Sequence, residues 1–437
     1  MKKESAYLLL VTILVLTEYV WLTSSGSLLH APGSGIYLAL GRLTGLLLGL
    51  SILFQFVIIG RVGWMEKTFG LDKLSKLHHI TGFTTVLFLF AHPIFLAIAY
   101  RWGDGNSFFG KIISLISMGD DVTSAAFGAL LFIIVAATSV YVLLKKLKYE
   151  YWYGIHMLAY AGLVISFNHQ LELGGDLHTV TGKLMWVGLF VWAGITYIWF
   201  RFIKPLINFG YHRFYVKEII EETDKVRSIR ISGKHMNECT YQPGQFVIVR
   251  FFAKGIWWEA HPFSISVGEG RGDLRITVKM LGDYTKKMWD AIHIGTQIFI
   301  DGPHGVFGNS IASAQKILCI AGGVGITPIR SVTQEAVRLH KNIKVLASFS
   351  NSKEAFCEQE IAQLVGNENM QSVYTRENPY DEQKKGITHS TVLDFCPDVR
   401  ERDIYICGPV PFMEHIKRML KSQGVSKNRI HYEKFSL

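Results

Sequence analysis

Long apolar runs interrupted by few charged positions fill the first half of the chain, near residues 6–24, 36–60, 79–100, 125–144, 151–168 and 184–203. Each is close to the roughly 20 residues that an α-helix needs to cross the hydrocarbon of a bilayer. The pattern predicts a six-helix transmembrane bundle over residues 1–205. Lys2 and Lys3 precede the first run as they would in a signal peptide, but no small-residue cleavage site closes it, so it is read as helix 1. After Pro205 the period changes. Short β-branched and aromatic runs, Arg213 to Glu218, Gln245 to Phe251, Leu274 to Lys279 and Gln297 to Ile300, are punctuated by glycine and predict a small antiparallel β-barrel over residues 206–310. From Lys316 buried strands (Ile317 to Ala321, Ile343 to Ser348, Asp403 to Cys407) alternate with helix-like stretches (Thr327 to Leu339, Glu358 to Leu364, Pro411 to Ser422). That alternation predicts an α/β nucleotide-binding domain with a parallel sheet over residues 311–437.

Charge refines the membrane reading. A net charge of +10 is compatible with nucleic-acid binding, yet its placement follows topology instead. With the N-terminus inside, the inner segments hold Lys2, Lys3, Arg61, Lys67, Lys73, Lys76, Lys145, Lys146, Lys148, Arg201, Lys204 and Arg213, whereas the outer loops hold only Arg101, Lys111 and Lys183. Basic residues concentrate on the cytosolic side of membrane proteins. The expectation is therefore an integral protein of the plasma or inner membrane, its second half cytosolic, with no nucleic-acid partner. The five cysteines, Cys239, Cys319, Cys357, Cys396 and Cys407, all fall in that second half and form no CxxC or CxxCH spacing, so no disulfide framework, zinc site or covalent haem is implied.

Four histidines stand in two of the apolar segments as matched pairs. His78 and His92 are 14 residues apart in the third segment, and His156 and His169 are 13 apart in the fifth. Fourteen residues make nearly four helical turns, so His78 and His92 share a face about 21 Å apart along the axis. Thirteen residues rotate an ideal helix by about 140° instead, so the fifth helix must distort or its imidazoles must reach in different directions. Both segments run inside to outside, which allows His78 to face His156 and His92 to face His169. Facing imidazoles are what six-coordinate haem iron requires, and two such haems would form a conducting path across the membrane. A single membrane histidine is often only an interfacial or hydrogen-bonded residue; four in this register point to metal ligation. His79 is the alternative to His78, at a spacing of 13 to His92 that fits the helical phase less well. Arg42 and Glu18 are costly in lipid unless turned inward. Arg42 is expected to meet an outer-haem propionate or the electron acceptor rather than to snorkel, and Glu18 is equally well explained by a hydrogen bond between helices.

In the predicted barrel, His261-Pro262-Phe263-Ser264 suits a strand edge laid against a flavin ring, with Ser264 offering a hydroxyl to the flavin or its phosphate. Lys279 precedes Gly282-Asp283-Tyr284-Thr285, where a small-residue turn opening a helix can hold pyrophosphate on backbone N–H groups. Each alone is equally an ordinary strand or turn; their order and spacing together point to FAD. Further on, Gly322-Gly323-Val324-Gly325-Ile326-Thr327-Pro328 follows a buried strand and opens a helix, as a dinucleotide phosphate site requires. The Lys-Ser/Thr of a P-loop is missing. Cys407-Gly408-Pro409 ends a later strand, and ligands of parallel sheets bind at the carboxyl ends of strands. Ser352 and Lys353, with Arg376 as a second candidate, are placed to receive the 2′-phosphate of NADPH, and no acidic residue is evident for the bare ribose of NADH.

These motifs together resemble the NADPH oxidase and ferric reductase family, whose dehydrogenase half is similar to ferredoxin-NADP reductase. The likeness runs from Leu40-Gly41-Arg42 to the last residues. It implies that His78, His92, His156 and His169 ligate two b-type haems. It further implies that His261 to Ser264, Lys279 and Gly282 to Thr285 hold FAD, and that Gly322 to Pro328 and Cys407 to Pro409 hold NAD(P)H. Glu433 and Phe435 match a terminal segment that closes on the flavin ring in that family, and Cys407 is expected beside the transferred hydride. His261 replaces the arginine of the soluble reductases, Leu96 stands where animal oxidases carry a further histidine, and Ser436 and Leu437 follow Phe435. No calcium-binding loop or activator-docking segment is visible, so no obligatory activator is expected. The resemblance implies electron passage from cytosolic NAD(P)H through FAD and two haems to an outside acceptor, oxygen giving superoxide. The alternatives are a ferric-chelate reductase and a membrane haem subunit that donates electrons to a partner protein.

Overall fold

The computed structural model describes residues 3–101, 107–117, 119–143, 147, 149–267, 272, 274–311, 313–377 and 386–433. Two compact units emerge. One comprises Met1–Met65 and Lys73–Arg201, the other Glu66–Asp72 and Phe202–Leu437.

The first unit is helical: α1 (Lys3–Ser25), α2 (Gly35–Ile59), the start of α3 (Gly63–Phe69) and most of α4 (Leu71–Arg101), then α5 (Phe108–Ile116), α6 (Asp120–Leu143), α7 (Tyr149–His156), α8 (Leu158–Leu173) and α9 (Val180–Ile198). Met65 ends its share of α3 and Lys73 begins its share of α4. Among the described residues five helical stretches are long and apolar enough to cross a membrane: Glu4–His30, Gly35–Ile59, Leu71–Arg101, Asp120–Val140 and Val180–His212. The sixth expected span differs. Residues 151–168 fall on α7 and α8, which are separated at Met157, and α8 has only 16 residues. At this break the Tyr160 N–H donates to Met157 O at 3.1 Å, an i to i+3 bond that winds the chain more tightly than an α-helix. Small residues set the packing of α8. A Cβ on Gly128 of α6 would lie 2.9 Å from Gly162 O, and one on Gly162 would lie 3.2 Å from Gly128 O, so these two backbones touch only because both positions are glycine.

The second unit begins with α10 (Lys204–His212) and continues through β1 (Tyr215–Thr223), β2 (Val226–Ser232), β3 (Phe246–Phe251), β4 (His261–Ser264), β5 (Leu274–Lys279), α11 (Asp283–Ala291) and β6 (Ile298–His304). The antiparallel pairing expected of these strands is present. They form two three-stranded antiparallel sheets, β1-β2-β5 and β4-β3-β6, joined by the isolated bridges Tyr215 to Gln297 and Ile265 to Ile276. Inward positions Val216, Ile229, Ile231, Val249, Phe251, Ile276 and Ile298 fill the space between the sheets. Buried alternation of this kind fixes strand register, because a one-residue slip would turn every apolar side chain outward.

Beyond them lie β7 (Lys316–Gly322), α12 (Ile326–Arg338), β8 (Asn342–Phe349), α13 (Glu358–Val365), β9 (Met370–Tyr374), α14 (His389–Phe395), β10 (Asp403–Cys407), α15 (Val410–Ser422) and β11 (Ile430–Tyr432). The five strands form one parallel sheet in the order β11-β10-β7-β8-β9, as the alternating pattern predicts. Its two faces are covered, one by a cluster that includes Ile329, Val332 and Ile361, the other by Val392, Met413, Ile416 and Leu420. The antiparallel sheets and this parallel sheet are pinned together by Arg275 of β5. Its Nη1 and Nη2 each donate to Glu360 of α13 at 2.9 Å, and Arg330 Nε donates to the same carboxylate at 2.8 Å.

Candidate functional site

In the helical unit the four histidines fall into two facing pairs. The ring centres of His78 and His156 are 6.1 Å apart, and those of His92 and His169 are 6.3 Å apart. Two imidazoles bound at about 2 Å on opposite sides of one iron place their ring centres roughly 6 Å apart. Both pairs have the spacing such an iron requires. His79 is exposed, while His78 is the one turned toward His156. The break at Met157 supplies the distortion that the 13-residue spacing demands, since tighter winding reduces the mismatch in phase between His156 and His169.

The surroundings of the rings fit the same group. His92 Nδ1 donates to Gly41 O at 2.7 Å, which leaves Nε2 as the nitrogen with a free lone pair. Gly45 leaves the space that the His92 ring fills. His169 Nδ1 is buried without a hydrogen-bond partner among the described residues. Trp152 lies against His156 with ring centres 4.9 Å apart, and its Nε1 donates to Ser139 Oγ at 3.1 Å. Among the described residues no group of three or more His, Cys, Asp or Glu gathers as it would around a bare ion. Facing pairs suit an iron that brings four porphyrin nitrogens of its own.

Arg42 is turned into the protein. Its Nη1 donates to Ser25 Oγ at 3.1 Å, and Ser25 donates in turn to the buried Asp176 carboxylate at 2.5 Å. Its guanidinium lies so close to Gly175 that a Cβ there would be 2.4 Å from the guanidinium carbon. Glu18 is exposed on α1.

In the second unit β4 places His261 to Ser264 beside β3, and His261 stacks on Tyr284 of α11 at 3.7 Å. Tyr284 is buried and its hydroxyl has no hydrogen-bond partner among the described residues, nor has Nε of Arg250 on β3. Two unpartnered donors beside the stacked rings suit a ligand rich in acceptors, as FAD is. Sequence reading missed Arg250. Its signal was a lone charged residue in the apolar run Phe246 to Phe251. Gly282 precedes α11, where the first N–H groups have no partner within the helix. The Leu281 and Gly282 N–H groups themselves donate to Thr285 Oγ1 at 3.0 and 3.1 Å. Lys279 Nζ donates to Glu354 at 2.8 Å, across to the turn after β8.

The glycine turn and the cysteine turn meet. Cys407 pairs with Ala321 in adjacent parallel strands. A Cβ on Gly325 would lie 2.4 Å from Cys407 O, and one on Gly322 would lie 2.8 Å from Phe412. Gly323 has φ +53 and Gly408 φ +158, both in the range that favours glycine. Burial, with the Glu433 carboxylate next, pushes the Cys407 thiol up, so it is held protonated. Glu433 itself follows β11 and is buried; burial first, and then Asp72, lift it to about 8. Phe435 lies outside the described residues. Ser352 and Lys353 form the exposed turn after β8, with Arg376 close in chain to the end of β9. Two carboxylates missed from sequence border that turn: Glu377 accepts the Ser352 N–H at 2.8 Å, and Glu354 is held by Lys279.

Parallel-sheet glycine turn, flavin-type antiparallel sheets and apolar helical half together define a membrane-anchored protein of the flavin and nicotinamide oxidoreductase class. The comparisons agree segment by segment. Residues 41–167 match the ferric reductase like transmembrane component, 212–307 an FAD-binding domain, and 319–418 the oxidoreductase NAD-binding domain. In that combination the chain has the domain architecture of the NADPH oxidase and ferric reductase family, and it is an integral membrane protein. The chain is similar to a flavohemoprotein of Vibrio cholerae, 27% identical over 205 residues, 45% of this chain and 51% of the relative. It is also similar to the glycine betaine monooxygenase reductase subunit of Chromohalobacter salexigens, 27% identical over 240 residues, 52% of this chain and 64% of the relative. The chain thus spans between half and two thirds of these relatives. Among solved structures, the FAD/NAD-binding domain of nitric oxide dioxygenase from Vibrio cholerae aligns with 51% of this chain and 98% of its own, at 24% identity and a TM-score of 0.42.

Proposed function

We propose that this protein is a transmembrane oxidoreductase that passes electrons from cytosolic NAD(P)H, by way of FAD and two b-type haems, to an acceptor on the outer side, with oxygen as that acceptor and superoxide as product. The observation that carries the reading is the pair of imidazole spacings, 6.1 and 6.3 Å, on one chain with flavin and nicotinamide domains. Bound FAD would turn a two-electron hydride donor into single-electron steps, and iron between two imidazoles would take up and release one electron with little rearrangement.

The chain's own residues have definable tasks. His78 with His156 and His92 with His169 would hold the inner and outer haem, and the Gly41 carbonyl fixes the tautomer of His92. Arg250, His261, Tyr284 and the start of α11 would hold FAD. Gly322 to Pro328 let a pyrophosphate approach the backbone at the start of α12, where helix N–H groups and the helix dipole favour an anion. Cys407 presents a neutral thiol at the end of β10, a contact surface for the nicotinamide rather than a nucleophile. Lys279 would leave Glu354 to meet the FAD pyrophosphate. The positive-inside distribution supports a cytosolic dehydrogenase half.

A ferric chelate is the second reading of the acceptor, favoured by the match of residues 41–167 to a ferric reductase like component. The test is the oxidised and dithionite-reduced absorption spectrum of the purified protein with haem and flavin quantified, followed by NADPH with a superoxide probe and a ferric chelate in parallel. Two b-type haems and one FAD, reduced by NADPH, are expected. A preparation reconstituted with haem that binds none would overturn the electron path.

A further inference from the structure

The second compact unit contains one short piece of the apolar half, Glu66–Asp72, which lies in sequence between α2 and the main length of α4. It is held there by three kinds of contact. Glu66 accepts a hydrogen bond from His304 Nδ1 at 2.8 Å and another from the Gly305 N–H at 3.2 Å. Leu71 is buried with Phe246 and Ile248 of β3. Gly70, at φ +84, sits so close to Val306 that a Cβ would be 3.1 Å from its methyl group. The polar contact is deeply enclosed, with Glu66 and His304 each 5% exposed. His304 Nε2 lies 3.3 Å from Asp301 Oδ1, so the imidazole stands between two carboxylates. Burial alone would lower its pKa, but the hydrogen bonds to Asp301 and Glu66 outweigh this and raise it.

A carboxylate and an imidazole this far from water are costly unless each satisfies the other, and removing either leaves a buried charge unpaired. Nothing in the flavin or nicotinamide sites described above uses them. What distinguishes the segment is where it leads. Leu71 is the first residue of α4, and His78 lies seven residues further along that unbroken helix. Seven residues are nearly two turns, so Leu71 and His78 share a face about 10 Å apart.

We propose that Glu66 and His304 are positioning residues for electron passage: their buried pair holds the start of α4, the helix that carries His78, on strand β6 of the flavin-binding half. The inference rests on the reading of His78 as a haem ligand for its consequence, but not for the contact itself. The step served is the movement of one electron from reduced flavin to ferric inner haem. No bond is made or broken at His304.

The test uses the full-length protein with His304→Ala, His304→Asn, which restores a donor near the position of Nδ1, and Glu66→Gln. Three quantities are read: amide hydrogen exchange of residues 66–72 before any haem or flavin is added, the rate of haem reduction by NADPH in the loaded protein, and NADPH-driven ferricyanide reduction, which takes electrons from flavin directly. In His304→Ala, exchange in 66–72 should rise at least about tenfold, and haem reduction should slow by roughly tenfold for a misplacement near 1 Å. Ferricyanide reduction should hold at the parental rate, and His304→Asn should recover most of both losses. Unchanged exchange together with unchanged haem reduction overturns the proposal, as does an equal fall in ferricyanide and haem reduction, which would mean damage to the flavin site. If His304→Ala does not fold, the same comparison in Glu66→Gln decides. A parent protein that binds no haem would defeat the proposed function, whereas the exchange result would still decide whether the pair holds the segment.

Discussion

A Cβ atom on Gly45 of α2 would lie 2.8 Å from Nδ1 of His92, so this glycine gives the imidazole its place. Gly45→Ala should displace the ring without unfolding α2, because alanine is the better helix former by about 1 kcal/mol. Losing the His92 to Gly41 bond along with the position should weaken the outer haem by about ten- to a hundredfold. Haem stoichiometry after a chelating wash should fall from two toward one, with the thermal midpoint retained. Full retention of both haems would remove His92 from the ligand set.

Cys407 meets the glycine turn at the carboxyl ends of β7 and β10, where the nicotinamide is expected. In single-turnover measurements Cys407→Ala should slow flavin reduction by NADPH by roughly tenfold or more, since small misplacements at a reacting centre are costly. Both haem spectra should stay as in the parent. A flavin reduction rate equal to that of the parent would discard the role.

The sequence carried some of this more clearly than the rest, for physical reasons. His78 and His92 were legible because α-helical phase is rigid over 14 residues, and because a polar residue in lipid calls for an explanation. The relative phase of His156 and His169 was only half legible: the need for distortion could be stated, but not that Met157 would break the helix and leave α8 shorter than a membrane span. The parallel sheet followed from alternation of period, whereas the division of the antiparallel strands into two bridged sheets depends on long-range pairing that local pattern does not encode. Contacts distant in sequence were invisible. Lys279 with Glu354, Glu66 with His304, and Arg275 with Glu360 join residues 75 to 238 positions apart.

The turn after β8 bears on the choice of nucleotide. Lys353 is exposed and free to meet a 2′-phosphate, while Glu377 holds the Ser352 N–H and places a carboxylate at the same turn. Lys353→Ala should raise KM for NADPH by about two- to fivefold, the range of an exposed charge contact, and leave KM for NADH nearly unchanged. Glu377→Gln should lower KM for NADPH by a similar factor. Equal shifts for both nucleotides in either variant would place the 2′ position elsewhere. Raised ionic strength should shrink the NADPH effects, because exposed charges are screened.

Glu433 makes stability depend on pH. Burial, reinforced by Asp72, raises its carboxyl from 4.5 to about 8, so the folded protein binds a proton that the unfolded chain gives up in between. A group whose pKa is higher in the folded state stabilises fully below the unfolded value and loses that contribution as pH rises through the folded value. The thermal midpoint of the second unit should therefore fall between pH 4.5 and about pH 8 and level off above it. Glu433→Gln, which keeps the neutral shape, should flatten this part of the profile and raise the midpoint at pH 8.5 above the parent's. His304 contributes in the same direction, since its pKa is also raised, so the slope should be reduced rather than abolished. Parallel profiles for parent and variant would show that Glu433 is ionised in the folded protein at neutral pH, and would move the proton to another of the carboxylates grouped around Gly305.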